Sequence, residues 1–338
     1  LDTSINMAMQ PFKMMVGDMV NEKQKGLAYS IQSFLCNAGS LVGFLFPFIF
    51  TWIGISNIAP QGVVPDSVIY SFYIGAAILI LCVIYTTVKV KEMPPAEYAE
   101  YHGITEEEKK EKINMVKLLV KAPKAFWTVG LVQFFCWFAF MFMWTYTNGS
   151  VAANVFDAPT VETVVNGANK VVLDTKSIQY QNAADWVGVL FAVQAIGSVL
   201  WAVCIPMFKN RKLIYSLSLV LGGIGFISTY FVHNQYVLFI SFLLIGCAWA
   251  AMLALPFTIL TNALSGGHMG TYLGLFNGTI CIPQIVAATL GGSILALFTP
   301  KGMLPPEINM LVMAAVMLII GAVCVYLIKE TKGEQAKT

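Results

Sequence analysis

Charge is what this sequence has least of. Only 11% of its 338 residues are Asp, Glu, Lys or Arg, against 57% hydrophobic, and the mean hydropathy is +0.72. An average soluble domain carries about 25% charged residues, so this chain could not clothe itself in water and a soluble enzyme is excluded. The net charge of +2 leaves no basic footprint for nucleic acid. Histidine is nearly missing: His102, His233 and His268 stand apart in loops or at helix ends, and no spacing suits a metal. No glycine-rich loop runs into Lys-Ser or Lys-Thr, so ATP is not the expected energy source. Disulfide frameworks are missing too. The seven cysteines (Cys36, Cys82, Cys136, Cys204, Cys247, Cys281, Cys324) each lie alone inside an apolar run and read as small packing residues.

What the chain does have is long apolar runs. A bilayer is spanned by roughly 20 apolar residues in helical form, and nine such windows stand between polar breaks. They fall at 1–19, 28–53, 68–88, 125–147, 185–208, 212–232, 236–260, 270–298 and 308–328. Lysine and arginine set the expected orientation. With the segments 20–27, 89–124, 209–212, 261–269 and 329–338 in the cytoplasm, that side holds seventeen of the twenty, counting Lys13, and the other holds Lys170, Lys176 and Lys301. The expectation is a multi-pass protein of the cell (inner) membrane with a cytoplasmic C-terminus. Nine crossings then leave residue 1 outside. The chain opens on Leu1, directly in helical sequence with no signal peptide, so a fragment lacking an N-terminal portion is expected.

The domain plan follows. Residues 1–88 form the remainder of an N-terminal six-helix bundle, and 89–124, with its Pro94-Pro95 pair and Glu106–Lys112 charge run, a cytoplasmic central loop. Residues 125–338 form a C-terminal six-helix bundle, with an outer loop at 148–184 that suits a short hairpin and a cytoplasmic tail at 329–338.

Polar residues inside apolar runs are the candidates for function, because burying them in a bilayer is unfavourable without a cavity or partner. At about 100° per residue, Asp2, Asn6, Gln10 and Lys13 share one narrow face of the first span. Desolvation poises a carboxyl such as Asp2 to take up and release a proton; the competing reading is a structural polar residue near a helix end. Asp18 points elsewhere, at the inner boundary, and suits a gating ion pair or a solvated carboxylate. A second face holds Gln133, Trp137, Trp144 and Asn148. A ring flanked by amides suits a sugar, which offers an apolar C–H face and hydroxyls, while an interfacial belt accounts equally for Trp144 and Tyr146. Trp137 is too deep for that belt and belongs to core or cavity. Gln194, Ser198 and Trp201 form a third stripe, and Asn277, Cys281 and Gln284 a fourth. Amides also join helices in membranes, and that alternative stands for each. Gly39-xxx-Gly43 and Gly270-xxx-Gly274 suit close packing, and Pro47, Pro206, Pro256 and Pro283 suit kinks.

Residues 1–18, running Leu-Asp-Thr-Ser-Ile-Asn-Met-Ala-Met-Gln-Pro-Phe-Lys-Met-Met-Val-Gly-Asp, resemble the fourth helix of sucrose–proton symporters. These belong to the glycoside–pentoside–hexuronide:cation group of the major facilitator superfamily. Gly246–Ala250 through Pro256, Gly270–Asn277 and Pro283-Gln284 are similar to the tenth and eleventh helices of bacterial members, and Phe138–Thr147 to the seventh. The resemblance implies an all-α, two-bundle transporter with helices four to twelve of twelve present. It implies Asp2 as the proton-coupling site, Asn6 and Gln10 as sugar or proton-site partners, and Lys13 with Asp18 as gating residues. The group's usual arginine is Lys13 here, which keeps the charge and loses the bidentate fork. Gln133, Trp137, Asn277 and Gln284 complete the expected sugar contacts. The expected activity is import of a disaccharide such as maltose or sucrose with a proton or sodium ion, by a monomer in the lipid bilayer with no cofactor and no metal. An exporter of drugs or metabolites is the alternative within the fold. A polytopic membrane enzyme is the alternative outside it, and lacks the His/Asp or His/Glu cluster it would need.

Overall fold

A computed structural model describes residues 24–55, 66–91, 115–165, 168–208, 210–263 and 269–328, with isolated residues at 12, 15, 16, 19, 20, 64, 94 and 97. Ten α-helices and one hairpin are described. They are α1 (Lys25–Trp52), α2 (Asp66–Lys89), α3 (Met115–Lys121), α4 (Lys124–Asn154), β1 (Thr160–Val165), β2 (Ala168–Leu173), α5 (Ile178–Cys204), α6 (Arg211–Phe231), α7 (Leu238–Ala263), α8 (Met269–Phe276), α9 (Gly278–Phe298) and α10 (Ile308–Cys324). Eight of the nine expected spans are thus helical, and the span at 1–19 lies outside the described residues apart from its isolated positions. Among the described residues, seven helical segments are long and apolar enough to cross a membrane. Helix is the form that such runs require, since hydrocarbon offers no partner to an unpaired peptide group.

The helix ends follow local chemistry. Ser177 caps α5 by accepting from Tyr180 N at 3.2 Å, and Asn210 caps α6 by accepting from Leu213 N at 3.1 Å. Pro206 lies within its span, Ile178–Met207, in the 3₁₀ turn Ile205–Met207 that ends α5, because it has no N–H to continue the ladder. Pro256 and Pro283 do lie inside α7 and α9. The expected outer loop at 148–184 is much shorter than drawn. α4 runs on to Asn154 and α5 begins at Ile178, leaving an antiparallel hairpin paired from Thr160↔Leu173 to Val165↔Ala168. The expected span at 270–298 divides into α8 and α9 at Asn277, whose N–H still bonds Leu273 O and Gly274 O.

Helices α4 and α7 form the centre, with 61% and 67% of their spans buried, whereas only 6% of α2 is. α7 packs against α5 and α6, α10 against α4 and α6, and α9 beside α4. α1 lies on α5 and α2 on α1. The α5–α7 crossing is a glycine contact: a Cβ on Gly197 would lie 2.6 Å from Leu243 O, and one on Gly246 would collide with Gln194 O. Backbones approach this closely only where side chains are absent. Gly39, Gly43 and Gly274 meet no described atom within 4 Å.

Two ends of the bundle can be told apart. The hairpin, Asn154, Ile178, Phe231 and Leu238 mark one; Lys124, Arg211 and Lys212 mark the other, called here the lysine end.

Candidate functional site

Asp2, Asn6, Gln10, Lys13 and Asp18 lie outside the described residues, so the site is built from the C-terminal helices. Its centre is aromatic. On α4, Trp137 and Trp144 are two turns apart, and α7 brings Trp249 between them. The Trp137 and Trp144 rings each meet Trp249 edge-on at 5.7 Å between centroids, at 76° and 81°, and lie 6.3 Å from each other. Phe140 closes the base, 4.9 Å from Trp249. Edge-to-face pairs of this kind each add about 0.5–1.5 kcal/mol beyond burial, so the cluster is held rigidly. It is also open on one side: Trp144 is 41% exposed and Trp137 and Trp249 are half-buried.

One atom in the cluster is unmatched. The Trp137 Nε1 is buried and has no acceptor among the described residues. A buried indole N–H normally finds one, because leaving it unmade costs about 1–3 kcal/mol. Nearer the lysine end, at the α8–α9 junction, Asn277 Oδ1 is likewise buried without a donor among the described residues, while its Nδ2 reaches Cys281 Sγ at 3.8 Å. Gln284 is half-buried on α9. α9 runs parallel to α4, with Gly130 against Phe276 and Thr279, and Gly291 against Tyr146. That register sets Gln284 at the depth of Trp137.

Gln133 is placed differently. It is fully buried on α4, donates from Nε2 to Met252 O on α7 at 3.3 Å, and accepts at Oε1 from Tyr215 Oη on α6 at 3.3 Å. Both ends of the amide are engaged in joining three helices. In the stripe at Gln194, Ser198 and Trp201, the last two also join helices. Trp201 Nε1 donates to Ser218 on α6 at 2.8 Å, and Ser198 donates to Asn37 Oδ1 on α1 at 2.9 Å. Phe44 and Phe191 pack 5.7 Å apart on the same α1–α5 seam.

The four-residue stripe on α4 is therefore split by the fold. Gln133 enters the core, Trp137 and Trp144 join Trp249, and Asn148 turns to α5, donating to Tyr180 Oη at 2.9 Å. Nothing periodic on α7 points to Trp249 as a site residue; its one signal in the sequence is its place in the Gly246–Ala250 segment.

The aromatic walls and the unmatched Trp137 N–H, with Gln284 at the same depth, make a surface that can hold an amphipathic, hydroxyl-bearing solute. The described residues also enclose a cavity of about 10 Å³ beside Thr147, Ser150, Asn154 and Thr229. It has room for one water, far below the ~300 Å³ of a small-molecule site. The sequence model of the Major Facilitator Superfamily matches residues 5–166 and 151–338.

The chain belongs to the Major Facilitator Superfamily.

That membership and the helical architecture agree: this is an all-α, multi-pass membrane protein with the fold of a facilitator-superfamily transporter. The superfamily is made up of secondary transporters, not enzymes. No curated protein matches the chain.

Proposed function

We propose that this facilitator-superfamily chain imports a sugar, a disaccharide such as maltose or sucrose, coupled to a proton and working by alternating access. The reading rests on the resemblance to the glycoside–pentoside–hexuronide:cation group, and the observation that carries it is Trp137. Its indole N–H is buried and unmatched within a rigid aromatic cluster that is open on one side. A pyranose offers what that place lacks, a hydroxyl acceptor beside a C–H face that packs on aromatic rings. Apolar cargo, as in an exporter, supplies the second and not the first.

In this reading the sugar contacts are Trp137, Asn277 and Gln284 from the C-terminal helices and Asn6 and Gln10 from the first span. Gln133 positions α4 through Met252 and Tyr215. Asp2 carries the coupling proton, and Lys13 with Asp18 gates the lysine end. The chain corresponds to helices four to twelve of that group, works as a monomer in the inner membrane, and has its lysine end in the cytoplasm by the positive-inside rule.

The test is accumulation of labelled maltose and sucrose by cells carrying the intact gene, with and without a protonophore. The expected result is uptake that collapses when the proton gradient is removed, and loss of accumulation in Asp2→Asn. Absence of uptake of either sugar under both conditions overturns the sugar assignment; uptake indifferent to the protonophore and sensitive to sodium overturns the proton.

A further inference from the structure

The hairpin end of the bundle carries an acid with no counter-charge. Glu307 is the residue before α10 and has helical backbone angles, φ −59° and ψ −24°. An acidic side chain there ordinarily lies over the first turn, where free N–H groups and the helix dipole favour it. That of Glu307 makes no cap hydrogen bond. It instead lies across α4 on Gly149, so closely that a Cβ at 149 would occupy the place of the carboxyl group.

Every element packed around this carboxyl offers neutral groups. From α4 come Tyr146 and Gly149, and from α5 comes Tyr180, which Asn148 of α4 bonds in turn; both tyrosines lie within electrostatic range of Glu307. Asn148 Nδ2 donates to Tyr180 Oη at 2.9 Å, while its Oδ1 is buried with no donor among the described residues. α9 contributes Gly291, which abuts the Tyr146 hydroxyl. Among the described residues no Lys, Arg or His faces the carboxyl. Burial alone pushes it up, to about 7.

We propose that Glu307 is a proton-binding site that fastens the hairpin end of α10 to α4 and α5 as the neutral acid, and lets that end part from them once ionised. The niche at Gly149 fits a neutral carboxyl, whose O–H adds a donor to a pocket that holds an unmatched acceptor. A carboxylate in the same niche meets no cation among the described residues and is largely withdrawn from solvent. Separation of α10 from α4 gives it water. This inference does not depend on the identity of the cargo.

The sign follows from linkage. With the fastened value near 7 and the ordinary value 4.5, fastening is at full strength below about pH 4.5, weakens as pH rises, and levels off above about pH 7. The difference corresponds to a change of up to about 300-fold in the opening equilibrium across that window.

Two measurements on the intact protein in lipid nanodiscs test this. The neutral-acid carbonyl band of Glu307 in the infrared, identified by its loss in Glu307→Gln, is expected at about pH 6 and gone above about pH 8. Its absence at the lower pH overturns the proposal. Protection of the Met310 and Leu311 amides from hydrogen exchange, corrected for intrinsic rates, is expected to fall up to about 300-fold between about pH 4.5 and 7 in the native protein and to stay level in Glu307→Gln. A level native profile, or an equal fall in the variant, overturns it. Gly149→Ala fills the niche while leaving the acid in place, and is expected to give the low protection at every pH. Native protection in that variant also overturns the proposal.

Discussion

Replacing Gly246 by alanine tests how the C-terminal helices are held. A Cβ there would collide with Gln194 O and lie 2.8 Å from Ser198 N and 3.0 Å from Gly197 C. All three are backbone atoms of α5, so no rotamer change makes room. Carbon atoms rest at about 3.5–4.0 Å from their neighbours, so α5 and α7 must part by roughly half an ångström to one ångström at their crossing. Overpacking a tight interior costs about 1–3 kcal/mol, and a clash against backbone belongs at the upper end. Alanine recovers about 1 kcal/mol through its helix propensity, leaving a net destabilisation of about 2 kcal/mol. The reciprocal Gly197→Ala brings a Cβ to 2.6 Å from Leu243 O and is expected to cost about the same. Since either change forces the same separation, the double variant should fall short of the sum by about 1 kcal/mol or more. Unfolding by SDS in mixed micelles, followed through tryptophan fluorescence, reads all three. A shift below about 0.5 kcal/mol for either single variant, or full additivity in the double, refutes the close-crossing account.

Other outcomes follow from the same structure. Asn37→Ala and Ser198→Ala, taken as a double-mutant cycle, should show a coupling of about 0.6 kcal/mol and no more than about 1.7, the range for membrane hydrogen bonds; zero coupling means the α1–α5 bond contributes nothing. Gln133→Leu strands Met252 O and takes one partner from Tyr215 Oη, which keeps Cys136, and should destabilise by about 1–3 kcal/mol in the same unfolding assay. Equal stability would mean those groups find water or each other. Trp137→Phe keeps an aromatic face and deletes the unmatched N–H, so the KM for sugar uptake should rise roughly three- to tenfold, about 0.5–1.5 kcal/mol of lost hydrogen bond. An unchanged KM removes that N–H from the sugar site.

The spans were legible because a bilayer asks for one property over a long window, and runs such as 212–232 and 308–328 have it throughout. Helix ends were less so. α4 continues past Asn148 to Asn154 although Asn148, Gly149 and Ser150 break its apolar run, because peptide hydrogen bonding carries a helix through short polar stretches that hold no proline; the start of α5 lies at Ser177, whose hydroxyl accepts from Tyr180 N. Glycine spacing is a weak guide for a related reason. Gly39-xxx-Gly43 marks a smooth face but says nothing of what lies opposite, whereas Gly197 and Gly246, single glycines on different helices, meet only through the fold. The candidate site divides in the same way. Trp137 was legible by its depth, Gln133 by its polarity but not by its partners, and Trp249 and Glu307 hardly at all. Their importance is a matter of convergence, two helices for one and three for the other, which no period within one helix records.

Helix α2 sets a practical condition on all of these measurements. Ser67 is its one buried residue among those described, while Phe72, Tyr73, Leu81 and Tyr85 are each more than 60% exposed. Its ladder of peptide bonds keeps it helical, and among the described residues its side-chain packing is against α1, which leaves its place fixed by few such contacts. Short-chain detergents should therefore loosen the N-terminal helices well before they reach the tryptophan core, and native annular lipid is the milieu in which the two parts of the molecule will keep step.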